Sequence, residues 1–371
     1  MNPFSYGKIV RGDSFYDRKE ELKRIVAILT GGNNMVLYAP RRFGKTSLVF
    51  RVIEKMEKEG YICIYFDFMP VFSVESFVRL YSKALAEKQS NLQKFVKLFS
   101  SSIKNIRPTL SFDRDGLPEF SIDFVGEKVD ETTISELLDL TEKIAGNKRI
   151  IVFFDEFQEV EKISKINFEA LLRSKIQQQE KTNYLFFGSK THLLKQMFND
   201  KKKPFYNSAT QMSIKGLPEK DTVAYLQKQF SSSNITINEE EAWHIISISS
   251  NIPHYIQMLA AEIWQYMINN LCVVTKEIID TSVDIIVNMK SDYYMELFNR
   301  QSNSKKELLQ ALTQNGKNVF SADYIRKNNL PSASSLQRAV VELVNDGVIE
   351  RVNDEYFITD PFFKLFVERV T

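Results

Sequence analysis

Cysteine is scarce: Cys63 and Cys272 are the two in 371 residues. Neither has a partner at metal-ligand spacing, and Cys63 lies in an apolar, strand-like run. That pattern argues against a disulfide framework and a zinc site, and a reducing compartment is expected. Histidine is nearly as scarce, with three residues. His254 has no metal-like neighbours at helical spacing, so neither a zinc centre nor a histidine nucleophile is expected. No apolar run approaches the length of a membrane span. The start, Met1-Asn2-Pro3-Phe4-Ser5, lacks a charged segment followed by an apolar one. A cytoplasmic protein with no membrane partner is expected. The net charge of +2 provides no global attraction to a polyanion. There is no internal repeat and no long low-complexity segment. What remains is 43% hydrophobic and 26% charged, a soluble globular composition long enough for two or three domains.

The informative stretch is Val36-Leu37-Tyr38-Ala39-Pro40-Arg41-Arg42-Phe43-Gly44-Lys45-Thr46-Ser47-Leu48. An apolar run ends, a turn follows, and Lys45-Thr46 opens an amphipathic helix. This is the strand–loop–helix context of a phosphate-binding loop. Backbone N–H groups of the loop and the helix start, over Ala39 to Ser47 apart from Pro40, would form a concave anion site. Lys45 would reach the β- and γ-phosphates, and the Thr46 hydroxyl would sit on Mg²⁺. Ala39 stands where the first glycine is usual, a small departure provided that φ there is not positive.

Further along, Leu22, Ile25, Val26 and Leu29 share one helix face. Asp17 is the expected cap of that helix. Met35–Tyr38, Tyr61–Phe68, Arg149–Phe154 and Asn183–Phe187 are apolar runs that suit buried strands of a parallel sheet. Thr210–Ile214 reads as a last short strand. Residues 107–125 break the pattern with a hairpin around Asp115-Gly116. We read it as a structural flap, with a docking surface as the alternative. Arg149–Phe154 ends in Asp155-Glu156. Two carboxylates at the end of a core parallel strand sit where open α/β sheets bind ligands. Asp155 would hold Mg²⁺ through its water shell, and Glu156 would orient a water for attack on the γ-phosphate. Ser189, just after Asn183–Phe187, would contact the γ-phosphate or that water; the cap of the helix that follows is an equally plain role for it.

From Glu219 the composition turns helical, with segments Asp221–Phe230, Glu239–Ser249, Ile252–Asn270 and Lys276–Met289. From Lys305 three helices, with Ser321 capping the second, precede a hairpin at Val348–Val352 and Tyr356–Thr359. That is the order of a winged helix-turn-helix. Its nine cations and nine carboxylates over 304–371 cancel, and Arg338 is the one cation of the recognition helix. DNA binding draws heavily on phosphate neutralisation, so a protein contact is favoured over DNA.

Together these residues resemble the archaeal-type P-loop ATPases, related to the STAND signalling ATPases and AAA proteins and more distantly to the origin-recognition ATPases. Asn2-Pro3-Phe4 with Phe15-Tyr16-Asp17-Arg18-Lys19-Glu20-Glu21-Leu22 resembles the family's N-terminal box. Ala39 to Leu48 is close to its phosphate loop, and Phe154-Asp155-Glu156-Phe157-Gln158 to its Mg²⁺ motif. Phe187-Gly188-Ser189 resembles its sensor strand, and Asp360-Pro361-Phe362-Phe363 its ending. The resemblance implies ATP or ADP with Mg²⁺ as cofactors, and Pro253 packing near the adenine. One departure is Asn207-Ser208, where the family usually has Gly-Arg. If that arginine stabilises the transition state, hydrolysis here is slow. Arg173 or the Lys201-Lys202-Lys203 run are the substitutes at hand, although a run of this kind is more often a solvated loop.

The expected fold is therefore α/β: a P-loop NTPase parallel sheet over 1–218, with the hairpin excursion at about 107–125, a helical lid over 219–300, and a winged-helix domain over 301–371. The expected function is a slow Mg²⁺-dependent ATPase acting as a nucleotide-controlled switch, with a protein partner or self-association. The alternatives are a DNA-associated ATPase and a nucleotide-binding module without turnover.

Overall fold

A computed structural model describes residues 2–8, 18–112, 114–116, 118–126, 129–163, 166–267, 272–352 and 354–370. The stretch Phe15-Tyr16-Asp17, with the expected cap Asp17, lies outside the described residues, as do Asn270 at the expected end of one helix and Asn353 in the expected wing turn. The chain divides into two compact units. One comprises Arg18–Pro40 and Lys45–Lys215; the other comprises Met1–Asp17, Arg41–Gly44 and Gly216–Thr371.

The first unit is an α/β layer structure. Its elements run α1 (Lys19–Thr30), β1 (Met35–Tyr38), α2 (Lys45–Lys58), β2 (Ile62–Asp67), α3 (Val74–Glu87), α4 (Leu92–Ser102), β3 (Ile106–Phe112), β4 (Pro118–Phe124), α5 (Glu131–Lys143), β5 (Ile150–Asp155), α6 (Phe168–Gln178), β6 (Thr182–Gly188), α7 (Thr191–Asn199) and β7 (Thr210–Ser213). Five of the strands form one parallel sheet in the order β2-β5-β6-β1-β7. Every residue of β1, β5 and β6 is buried, as continuous apolar runs in a doubly covered sheet require. The order puts β6 between β1 and β5. The strand ending in Gly188 therefore lies between the one that enters the phosphate loop and the one that ends in Asp155.

Aromatic rings fill one face of that sheet. Phe66, Phe154 and Phe186 pack against Phe77, Phe157 and Phe198 at centroid distances of 4.6 to 6.1 Å. The hairpin β3–β4 forms its own antiparallel pair, Ile106 facing Phe124 through Phe112 facing Pro118. An isolated two-stranded ribbon is marginal. Here Phe120 sits 5.3 and 5.6 Å from Phe95 and Phe99 of α4, and Arg79 of α3 donates to the Ile122 carbonyl. Helix starts follow their caps: Ser73 closes a capping box with Ser76, and Asp130 accepts from the Thr133 N–H.

The second unit is helical and then winged. Its elements are α8 (Glu219–Ser231), α9 (Glu239–Ile248), α10 (Pro253–Met267), α11 (Lys276–Met289), α12 (Ser291–Asn299), α13 (Asn303–Gln314), α14 (Ala322–Lys327), α15 (Ala333–Asn345), β8 (Ile349–Val352), β9 (Glu355–Ile358) and α16 (Pro361–Val370). Ser321 caps α14 through the Tyr324 N–H, as its position predicts. Two helices, α12 and α16, were not anticipated from the sequence. Asp360 followed by Pro361 is a helix start that can be seen afterwards: a carboxylate cap and a proline at the first helical position.

Candidate nucleotide site

The phosphate loop leaves β1 at Tyr38 and enters α2 at Lys45. Gly44 takes φ +77, a left-handed conformation that costs a glycine nothing. Arg42 takes φ +71 without that freedom. Ala39 is not among the positive-φ residues, so the alanine that replaces the usual glycine carries no backbone penalty.

Lys45 is 7% exposed. Its Nζ lies 3.5 Å from Glu156 Oε1 and 3.7 Å from Asp155 Oδ1, and 5.5 Å from the centre of the Phe187 ring. One buried cation is thus shared by both carboxylates at the end of β5. The two carboxylates are not equivalent. Burial raises the Asp155 carboxyl above its usual range, against the pull of Lys45 and of Tyr65, whose hydroxyl donates to Oδ2 at 2.6 Å. Burial acts on Glu156 the same way, but Lys45, the Ser189 N–H and Gln158 outweigh it and leave that carboxyl below its usual range. Glu156 Oε2 accepts from Gln158 Nε2 at 2.6 Å, the Ser189 hydroxyl at 2.8 Å and the Ser189 N–H at 3.0 Å. Glu156 itself sits at φ +47 and donates its N–H to Asp155 Oδ1 at 2.8 Å.

Ser189 meets Glu156 because β6 lies beside β5. Its hydroxyl is directed to that carboxylate, and α7 begins after Lys190 with no side-chain cap. Gly188 explains how Gln158 fits: a Cβ at 188 would lie 2.0 Å from Gln158 Oε1. Tyr65 has no signal in the sequence, because nothing in a buried strand announces which side chain faces a carboxylate on the neighbouring strand. Gln158 was noticed only as part of a motif.

The other expected residues have surroundings of their own. The Arg173 Nε has no hydrogen-bond partner, and burial lowers the guanidinium's affinity for its proton. Lys203 pairs with Glu161 at 2.7 Å. Asn207 adopts φ +51, the left-handed conformation that a glycine holds freely and asparagine tolerates. Thr46 and Ser47 follow Lys45 in the first turn of α2.

In the other unit, Pro253 opens α10, and the His254 N–H points to the Arg42 carbonyl at 3.4 Å. The Arg42 guanidinium lies 4.9 Å above the Tyr255 ring and 3.2 Å from Asp360 Oδ2. Burial, then the charges of Arg42 and Lys290, push His254 down to about 4.

Residues 15–186 match the model of an ATPase domain found predominantly in Archaea, and residues 292–369 that of a probable winged helix domain. The chain carries an archaeal-type P-loop ATPase domain and a C-terminal winged helix. The chain is 23% identical over 301 residues to an uncharacterized protein of Methanocaldococcus jannaschii, covering 80% of this chain and 54% of that one. It thus spans about half the length of that curated relative. Among solved structures, the Walker-type ATPase of Pyrococcus abyssi aligns over 99% of both chains with TM-score 0.67 and 19% identity. The ORC2 protein of Aeropyrum pernix, solved as ADPNP and ADP complexes, aligns over 100% of this chain and 97% of its own, with TM-score 0.56 and 12% identity. At these identities the likeness concerns the fold. Among the described residues no helix is long and apolar enough to cross a membrane.

Proposed function

We propose that this archaeal-type ATPase binds ATP and hydrolyses it slowly with Mg²⁺, and that the bound nucleotide sets its conformation. The observation that carries the proposal is the convergence of Lys45, Asp155 and Ser189 on Glu156, each within hydrogen-bond or ion-pair reach of it. Ala39, Pro40, Arg41, Arg42, Phe43, Gly44, Lys45, Thr46 and Ser47 form the phosphate seat in this account, and Pro253 lies toward the base. Residues 1–218 form the ATPase core, 219–300 the lid and 301–371 the winged helix.

The donor set fits Mg²⁺. That ion is commonly held by one or two carboxylates plus substrate phosphates rather than by an all-protein cage. Asp155 and the Thr46 hydroxyl are the residues that would hold it. When bound, Mg²⁺ neutralises charge on the phosphate oxygens. The chain's own residues do the rest. Lys45 is balanced by two carboxylates until a phosphate offers a stronger partner. Its departure frees Glu156 Oε1 to accept a proton from water, while Ser189 and Gln158 keep the other oxygen fixed.

A binding comparison of wild type with Lys45→Ala tests the proposal: labelled ATP should be retained by the first and lost by the second, and equal retention defeats it. The winged helix also supports a DNA-associated reading. Against it, five of the nine cations over 304–371 are engaged with carboxylates: Lys305, Arg326, Arg351, Lys364 and Arg369. Retention on duplex DNA that falls steeply with salt would favour the DNA role.

A further inference from the structure

Arg41–Gly44 are central to the phosphate loop, yet they belong to the same compact unit as the winged helix. Both arginines of the loop face that module. The Arg41 guanidinium lies 3.6 Å from where a Cβ would stand on Gly347, in the turn between α15 and β8. Arg42 has three ties. Its guanidinium bonds Asp360 Oδ2 at 3.2 Å and covers Tyr255, and its carbonyl faces the His254 N–H. Asp360 is committed on its other oxygen: Oδ1 accepts the N–H groups of Phe362 and Phe363 at 3.0 and 3.2 Å and so caps α16. Phe362 in turn packs 5.8 Å from Tyr255. One loop residue thus reaches the first turn of the last helix through an ion pair and through a ring.

We propose that the Arg42–Asp360 pair is a nucleotide-sensitive latch, in which a polyphosphate seated in the loop competes with Asp360 for Arg42 and thereby releases the start of α16. The inference deepens the function proposed above and rests on its phosphate seat. The balance of strengths favours the phosphate. Asp360 is 13% exposed but the Arg42 side chain is 43% exposed, so solvent reaches the arginine end of the pair and weakens it. Guanidinium–phosphate contacts are charge-assisted and geometrically matched. A cavity of about 160 Å³, lined in part by Arg42, Phe43, Tyr294, Leu297 and Asp360, leaves room for the guanidinium to change partners without overpacking. By linkage, whatever the phosphate gains by drawing Arg42 away is offset by the broken pair, so the latch lowers nucleotide affinity.

Equilibrium titration with a fluorescent ATP analogue tests this on the full chain. Asp360→Asn removes the charge and keeps an oxygen to cap α16. It should tighten binding by about fivefold, within the usual range of coupling between sites. In an Arg42→Ala background the same change should have less than about a twofold effect, because the pair is already gone. Hydrogen exchange in the peptide 355–363 should quicken when ATP is added to wild type and be fast without ATP in Asp360→Asn. Asp360→Ser, which also keeps a capping oxygen, replaces Asp360→Asn if that variant does not fold. Affinity unchanged or weakened in the folded variant, with Lys45→Ala still abolishing binding, overturns the latch and leaves the nucleotide site standing. Wild-type binding by Lys45→Ala overturns the site itself, and the latch with it.

Discussion

Lys45 and Arg42 are two cations of one loop, three residues apart, in opposite electrostatic situations. Lys45 is buried and neutralised twice over, by Asp155 and Glu156. Arg42 is half-exposed and holds one carboxylate, Asp360. The difference teaches that burial decides how replaceable a charge is. Removing a buried partner leaves an uncompensated carboxylate in a place where water cannot repair the loss. Removing Arg42 leaves Asp360, which still holds the Phe362 and Phe363 N–H groups through its Oδ1.

The largest expected effect follows from that contrast. Lys45→Ala should weaken ATP binding by about 100-fold or more, on the scale of losing a buried charge-assisted donor. Arg42→Ala should change it by less than about tenfold. Isothermal titration of both variants measures the gap, and equal losses would break the comparison. Next in size is Gly188→Ala. The new methyl group collides with Gln158 and forces it off Glu156, so stability should fall by about 1–3 kcal/mol. Thermal melts read that loss directly. A null result would mean that Gln158 is free to move and does not fix Glu156.

The smallest effect concerns His254, on the Arg42 side. Its folded value of about 4 lies below the ordinary 6.5. The folded state therefore binds fewer protons than the unfolded one between those values. The contribution of His254 to stability is present above about pH 6.5 and is lost as pH falls toward 4. His254→Gln should flatten the stability profile across that window in urea titrations. An unchanged slope would show that another group carries it.

Much of this was legible in the chain itself. The loop was visible because an apolar run, Gly44 and Lys45-Thr46 are consecutive, and β5 because its apolar run stops abruptly at Asp155. β1 was read to the residue at Met35–Tyr38. The bond from Ser189 to Glu156 was not legible, because it depends on β6 lying beside β5, and strand order is not a local property. Tyr65 to Asp155 was hidden for the same reason. Residues 157–162 form a short 3-10 helix, which no apolar periodicity announces. α12 carries exposed Tyr293 and Met295, so its pattern lacks a clean apolar face. α16 does carry a local signal in Asp360-Pro361, a carboxylate cap followed by a proline.

The central claim is that the residues around Lys45 hydrolyse ATP rather than merely hold it. ATP turnover with Mg²⁺ by purified wild type and Glu156→Gln, with bound nucleotide extracted from each, tests it most directly. Slow turnover is expected in wild type, with a loss of about 10²-fold or more in Glu156→Gln and ATP still bound to the variant. Equal turnover in the two proteins, or bound nucleotide with no turnover in either, would contradict it.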